Sequence, residues 1–600
     1  MYASRRSIDL TPAFNMDTPY IPLHPEQREI RFFELAPGSY DDDLAITLHV
    51  GSLTQELPQY YALSYAWGND VSPRTALVNH KSMLIGQNLD GALRHLRCGL
   101  TEPAKMWVDA ICINQHDIEE RSSQVLLMKD IYTSAERVLI YLGYEEPQDA
   151  EFTALIRNSE VPTAEDEIHG LLNHIISFCQ RPWFGRLWVA QELALSQKDP
   201  RVHVGTLTLP WSQLYDYIVD LDSRLPASLD GHPRLTTFME SRVRVRRLGR
   251  VRALPTTSLS LQAFRSAPAL ASDPRDKVFG LLGICVFNPG QMVVTPDYTK
   301  STIRVFTEAT ISMLQELDNI PYGLLPLQPP RLSSERSYYQ RLSDLPTWVL
   351  DLNISCQVEG QYCELGPYWL IPERAVHPGK LLSGTHHIPN RVQISQDYKR
   401  LHTFGLHIGT IVAIYSSAIN VSDYTGFQDR ATALRNIYTT YMKPRHIPAQ
   451  SLLHALTVDR KTPVMDPQLS ERLPDVFEQL LDSESDVTFP SLFFDVLVAL
   501  SGHEECHIFF TDRDQIGITY HPDLINGVRV GDEVVGLFGI NFPFVLRRVT
   551  ENLGNGSVHT MVNLAHVADH QWEHEFLDNA GPDAQWSHFE KFGLKKYVLM

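Results

Sequence analysis

Two carboxylates, with aromatic and amide side chains around them, are where this sequence could do chemistry. In "RPWFGRLWVAQELALS", residues 181–196, Glu192 stands four residues after Trp188, so a helix would project both from one face, a turn apart. If Trp188 walls a pocket, Glu192 sits at its lip, partly desolvated. A carboxylate so placed can stabilise a developing cation, such as the oxocarbenium-like ribose of a breaking glycosyl bond. Spacing alone favours a structural glutamate and leaves that role open. Asp109 lies inside "MWVDAICI", an otherwise apolar stretch that reads as a strand. Its carboxylate needs a partner, because an unpaired buried charge is costly. Arg121 or Arg186 could supply one, and a buried ion pair fixing strand to helix is the favoured reading.

Further polar groups cluster in "SYAWGND", with Trp67, Gly68 for a tight turn, Asn69 and Asp70, and in "NQHD", with the Asn114 and Gln115 amides. "HEECH" (503–507) superficially suggests metal ligands. In a strand, however, its side chains alternate between two faces, and no second ligand cluster accompanies it. His566, His570 and His574 would share a helical face, but "VHTMVNLAHV" reads as a strand through the first of them. No metal site is expected. P-loop, G-x-G-x-x-G and G-x-S-x-G patterns are all missing, which removes the usual support for NTPase, Rossmann and α/β-hydrolase readings.

The elements that must position these groups alternate regularly. "YYALSYAW", "MWVDAICI" and "RVLIYLG" read as strands, with helices over "NLDGALRHLR" and residues 117–134. Asp117 is placed to cap the second helix, with Glu120 three residues on. Strand–helix alternation predicts βαβ units and a mostly parallel sheet, whose ligands bind beyond the carboxyl ends of the strands. "SYAWGND" and "NQHD" fall at those ends. "EIRFFELAP" and "LAITLHVGSL" upstream read as two strands around the turn "GSYDDD". Helices are expected near 149–158, near 166–179 and over the 181–196 stretch, where Pro182 suits a first turn and Trp183, Leu187, Ala190 and Ala194 share one face.

The expected organisation is a flexible leader over 1–26, an α/β domain over 27–200 with its core at 58–196, and a helical region over 201–330. A connecting segment over 331–385 leads to a β-rich region over 386–600 with a helical insertion near 425–500. At 600 residues, the chain exceeds what one core organises. With 43% hydrophobic and 20% charged residues it is globular, and a net charge of −19 argues against nucleic acid as the main partner. The arginines of "SRVRVRRLGRVR" (241–252) are expected to line a solvated or acid-pairing face. Seven unpaired-looking cysteines and no signal peptide point to a reducing, cytoplasmic location. No apolar run approaches the roughly 20 residues that span a bilayer.

"YYALSYAWGND", "MWVDAICINQHDIEERSSQVLLMKDIYTSAERVLIYLG" and "RPWFGRLWVAQELALS" resemble, in order, the three blocks of the fungal heterokaryon incompatibility (HET) domain. Ala66 stands where a bulkier residue is usual, and Tyr141 where tryptophan is common. The resemblance implies a fungal protein of non-self recognition whose HET domain triggers programmed cell death. HET domains in turn resemble Toll/interleukin-1 receptor (TIR) domains, which have a flavodoxin-like parallel α/β sheet. Some TIR domains cleave NAD with a glutamate four residues after a tryptophan. That similarity implies a TIR-like fold here and makes Glu192 the catalytic candidate. Trp67, Gly68, Asn69, Asp70, Asn114, Gln115 and Trp188 become candidate cleft residues, and Asp109, Arg121 and Arg186 structural or cleft residues. No cofactor is required and NAD is a possible substrate. Self-association through the HET domain and an unknown protein partner are implied, and the non-enzymatic alternative is a signalling module whose C-terminal region senses that partner.

Overall fold

The computed structural model describes residues 19–68, 72–225, 233–254, 256–316, 344–353, 392–416, 424–457, 506–520, 527–537, 543–549, 557–568 and 593–600, with a few single residues between them. The chain divides into two compact units, residues 1–255 with 295–299, and residues 256–294 with 300–600.

The first unit is built on a nine-stranded sheet. Glu29–Leu35 (β1) and Ala45–Ser52 (β2) pair antiparallel, as the alternation around "GSYDDD" predicts. Tyr61–Tyr65 (β3) is followed by a hairpin of Arg74–Val78 (β4) and Lys81–Ile85 (β5), then by the helix Gln87–Cys98 (α1). The hairpin was not expected. Its turn residues Asn79 and His80 both adopt positive φ, 49° and 64°, the two-residue geometry that the hairpin twist demands, here without the usual glycine. Ala104–Trp107 (β6), the single turn Asp109–Cys112 (α2) and Ile118–Ser134 (α3) follow, then Arg137–Tyr141 (β7). Asp109 is therefore not inside a strand. Strand pairing stops at Trp107, and the apolar run continues as a helical turn, a distinction that hydrophobicity alone cannot make.

Beyond β7 come Asp149–Asn158 (α4), Glu165–Cys179 (α5), Pro182–Gly185 (α6) and Val189–Leu195 (α7). The expected single helix over 181–196 is thus two, parted at Arg186 with φ −73° and ψ 147°. Arg201–Val204 (β8) and Leu207–Pro210 (β9) form a closing hairpin, followed by the helices Trp211–Asp220 (α8), Pro233–Ser241 (α9) and Val243–Ala253 (α10).

Across the sheet the order is β5-β4-β2-β1-β6-β3-β7-β8-β9. β6, β3, β7 and β8 are mutually parallel, with β1 antiparallel beside β6. Among the four parallel strands the first in sequence, β3, has the second on one side and the third on the other. The order therefore reverses at β3, and in open sheets of this kind ligands bind beyond the carboxyl ends of the strands at such a reversal. This mixed α/β architecture agrees with the expected class.

In the second unit, Leu259–Ser266 (α11), Asp276–Phe279 (α12) and Thr302–Leu314 (α13) precede a β-rich part. Val392–Ile394 (β10), Leu401–Ser416 (β11), Cys506–Thr511 (β12), Ile516–Tyr520 (β13), Glu533–Leu537 (β14), Pro543–Val549 (β15), Val558–Val567 (β16) and Lys595–Leu599 (β17) are its strands. Pairings run β11-β12-β13-β16-β15-β14 and return to β11, closing a barrel. β11 serves four partners, with β10 then β14 on one edge and β17 then β12 on the other. Ile408, Ile411, Phe509, Val534 and Val545 pack together in one core cluster. The alternating residues Ile508, Phe510, Ile516 and Ile518 instead pack against the helices Tyr424–Ile437 (α14) and Ala449–Thr457 (α15). The helical insertion is present over 424–457, and its remainder to 500 lies almost wholly outside the described residues. No helix among the described residues is long and apolar enough to cross a membrane.

Candidate functional site

Three pieces of backbone bring the candidate groups together at the carboxyl edge of the sheet. The first is the end of β3. Ser64 is buried there, and Trp67, two residues past the strand, is 39% exposed. Gly68 takes the left-handed φ of +79°, a turn conformation that side chains beyond glycine resist, and Asn88 on α1 donates to the Ala66 carbonyl at 2.9 Å. Asn69 and Asp70 lie outside the described residues.

The second piece is the end of β6. Asp109 opens α2, with one carboxylate oxygen accepting the Ala110 N–H at 2.8 Å and the other the Trp67 indole N–H at 2.9 Å. Those bonds replace the buried strand ion pair expected for it. Burial raises the Asp109 carboxyl above the ordinary range, with the Arg186 charge, the Trp67 bond and the Ala110 bond opposing. Arg121, the other arginine considered, lies instead with its guanidinium 3.9 Å from the centre of the Tyr298 ring. Gln115 donates to the Asp109 carbonyl at 2.9 Å, and Asn114 accepts from the His116 N–H at 3.3 Å.

The third piece is α7. Trp188 precedes its first residue, and its carbonyl accepts the Glu192 N–H at 3.1 Å. Glu192 does not sit at a lip beside Trp188. It is 2% exposed, and its carboxylate accepts a hydrogen bond from the Ser64 hydroxyl. The indole that reaches the same hydroxyl is Trp183, whose N–H donates to Ser64 Oγ at 2.8 Å. The break after α6 makes this arrangement: Trp183 and Glu192 belong to different helices that converge on one strand. Arg186, in the break itself, donates to the Tyr65 carbonyl. Burial drives the Glu192 carboxyl up to about 7; the Arg186 charge and the Ser64 bond pull it down, while Asp109 adds to the rise. Both carboxyls are raised under one arginine, and Glu192, at about 7, can hold or yield a proton near neutral pH.

Supporting contacts fix the surrounding loops. Asp117 caps α3 as expected, accepting from Glu119 and Glu120 N–H at 3.0 Å each. Glu120 holds the buried Arg31 through two bonds, 2.6 and 2.9 Å, and also accepts the Asn114 N–H at 2.7 Å. The arginine-rich segment forms α10, and three of its arginines donate to helix-end carbonyls. Arg242 donates to Val219, Arg247 to Phe184 and Arg252 to Leu193 and Ser196, at 2.7 to 3.1 Å. Helix C-termini carry unpaired carbonyls and partial negative charge, so cations stabilise them. Of the histidine patterns, His507 and His566 lie on strands, while His503, His570 and His574 fall outside the described residues. Among the described residues no group of three His, Cys, Asp or Glu could hold a metal ion.

Sequence reasoning missed Ser64 and Trp183. One is a small polar residue inside an apolar strand. The other was counted with the packing face. An apolar run broken by one serine, such as "YALSY", is the only trace.

Residues 60–192 match the family model for the Heterokaryon incompatibility protein (HET). A relative, Heterokaryon incompatibility protein 6, OR allele, from Neurospora crassa, is 29% identical over 406 residues, which are 56% of this chain and 59% of the relative. The chain thus covers less than two thirds of that protein. No solved structure matches.

Proposed function

For a chain whose residues 60–192 match the HET family model, we propose a role in fungal heterokaryon incompatibility, with the HET domain acting as a TIR-like NAD glycohydrolase whose consumption of NAD triggers cell death. The observation carrying the enzymatic part is Glu192, a carboxyl pushed up to about 7 and held at the end of β3, where the sheet order reverses. A parallel order of second, first, third, fourth is the flavodoxin-like one, in which nucleotides bind at the reversal. In this reading the charged form of Glu192 stabilises the ribosyl cation as the nicotinamide–ribose bond breaks, water then completing hydrolysis. Trp67, with its indole N–H held by Asp109, offers a flat face at the same rim. Gly68, Asn114, Gln115 and Trp188 complete the cleft from this chain.

The burial of Glu192 favours a second reading, a non-enzymatic signalling module that self-associates while the C-terminal barrel senses a partner. The two separate on one experiment. The purified full chain is incubated with NAD, with and without a crowding agent, and nicotinamide is quantified. The enzymatic reading expects release that falls at least a hundredfold, on the order of 10², in Glu192→Ala. No release under any oligomerising condition leaves the signalling reading, and release that survives Glu192→Ala removes Glu192 from the chemistry.

A further inference from the structure

We infer that Trp183, Ser64 and Glu192 form a hydrogen-bond relay of fixed direction, running from indole to hydroxyl to carboxylate, so that Ser64 and Trp183 are positioning residues for Glu192 and only its second oxygen, Oε1, is available to a proton or a ligand. Donor and acceptor counting carries this. An indole N–H can only donate, and a serine hydroxyl has one proton to give. Trp183 Nε1 donates to Ser64 Oγ at 2.8 Å, which assigns Ser64 the acceptor role toward the indole. Its own proton then goes to Glu192 Oε2.

The opposite arrangement, a protonated Glu192 donating from Oε2 to Ser64, would leave the serine proton with no acceptor. Among the described residues Ser64 Oγ has no third hydrogen-bond partner. An unbonded hydroxyl in such a place is costly. Ser64 and Trp183 are each 1% exposed and Glu192 2%, so bulk water does not compete for these bonds. The two carboxylate oxygens are therefore inequivalent. Oε2 always accepts. Oε1, for which no hydrogen bond is found among the described residues, is where a proton is taken up or a substrate hydroxyl or cation is met. Arg186 and Asp109 are the charged groups that act on the same carboxyl.

The relay has a second consequence. A hydroxyl that donates to the carboxylate favours its charged form and opposes burial. Trp183 acts at one remove, because its indole N–H, donating to Ser64 Oγ, polarises the hydroxyl and strengthens the bond that the serine proton makes to the carboxylate. Removing either link should make Glu192 harder to ionise, although Trp183 bonds the serine and not the glutamate.

The inference rests on the proposed role of Glu192 only for its meaning in catalysis; its test does not depend on turnover. Infrared difference spectra of the full chain, wild type minus Glu192→Gln, isolate the carboxyl band of Glu192 as pH is varied. Ser64→Ala is expected to move its titration midpoint up by about one pH unit, and Trp183→Phe to move it in the same direction by less. Ser64→Thr, which keeps the hydroxyl, should titrate near the wild-type midpoint. Circular dichroism establishes that each variant is folded, and if Ser64→Ala does not fold, Trp183→Phe alone decides. Wild-type midpoints in both Ser64→Ala and Trp183→Phe overturn the relay, as does a Ser64→Thr midpoint displaced as far as that of Ser64→Ala. Midpoints that shift as expected in a protein releasing no nicotinamide uphold the relay and remove the NAD reading instead.

Discussion

At the scale of single residues, Glu192 ties stability to pH in an unusual sense. Its carboxyl rises from 4.5 to about 7 on folding, with burial as the largest cause. Between those values the folded chain keeps a proton that the unfolded chain has lost, so stability falls as pH rises through that window. Below about 4.5 both states are protonated and the penalty vanishes. Above about 7 it is complete, at roughly 3 kcal/mol. Glu192→Gln keeps the shape without the charge. Urea unfolding should therefore find the variant equal to wild type near pH 4 and more stable by that amount near pH 8, and a gap independent of pH would mean that the carboxyl is not raised. The sequence marked Glu192 as a residue to examine, but its setting was not legible there. Trp188, at the helical spacing that drew attention, is not the indole that reaches Ser64. Ser64 and Trp183 are more than a hundred positions apart, as are Ser64 and Glu192, and local periodicity carries no information at that distance. Asp109 was legible as an oddity, a charge in an apolar run, though not as the start of a helical turn.

At the scale of elements, strands and helices with strong periodicity were readable, including β3, β7 and α1, and α3 was readable from its Asp117 cap. What escaped was the Asn79–His80 turn, which has neither glycine nor proline, and the break at Arg186, which only the single Gly185 before it marks. Tertiary bonds, such as that from Arg186 to the Tyr65 carbonyl, hold such breaks open. The arginine-rich segment was legible only in part for a related reason: Arg250 is exposed as a solvated face requires, while Arg242, Arg247 and Arg252 reach carbonyls. Its charges look like a solvated face until helix-end carbonyls are brought opposite them. α10 also carries Gly249, where an added Cβ would come within 1.9 Å of the Tyr215 ring on α8. Glycine inside a helix normally costs about 1 kcal/mol relative to alanine. Here the sign should reverse, because the Tyr215 ring would have to leave its stack on Trp211. Gly249→Ala is expected to destabilise the protein by roughly 1–3 kcal/mol, read as a lower midpoint in thermal unfolding. A stabilised variant would show that α8 and α10 can part without cost.

At the scale of the whole molecule, the composition of 600 residues foretold more than one unit, and the β-rich character of the C-terminal region was readable from "ECHIFFTD", "DEVVGLFG" and "PFVLRRV". Closure into a barrel was not, since register between strands far apart in sequence leaves no local mark. β17 contributes to it out of proportion to its length. It pairs with both β11 and β16 and buries Tyr597 and Leu599. Removing residues 595–600 should cost on the order of 5 kcal/mol, as loss of two large buried side chains does. Calorimetry would then record a lowered transition for the second unit, and an unchanged transition would show that the barrel is complete without β17.

The four-partner strand β11 also sets a timetable for synthesis. Ile411 waits for Thr511, and Phe544 in turn for Leu564, so no amount of local order lets the barrel close before β16, at Val558–Val567, has left the ribosome. The sheet that carries Glu192 has all its strands by Pro210, and its unit is complete by Thr299. A nascent chain would therefore present a finished first unit while the second still has open strand edges. Ribosome-bound intermediates should bind chaperones through the second unit.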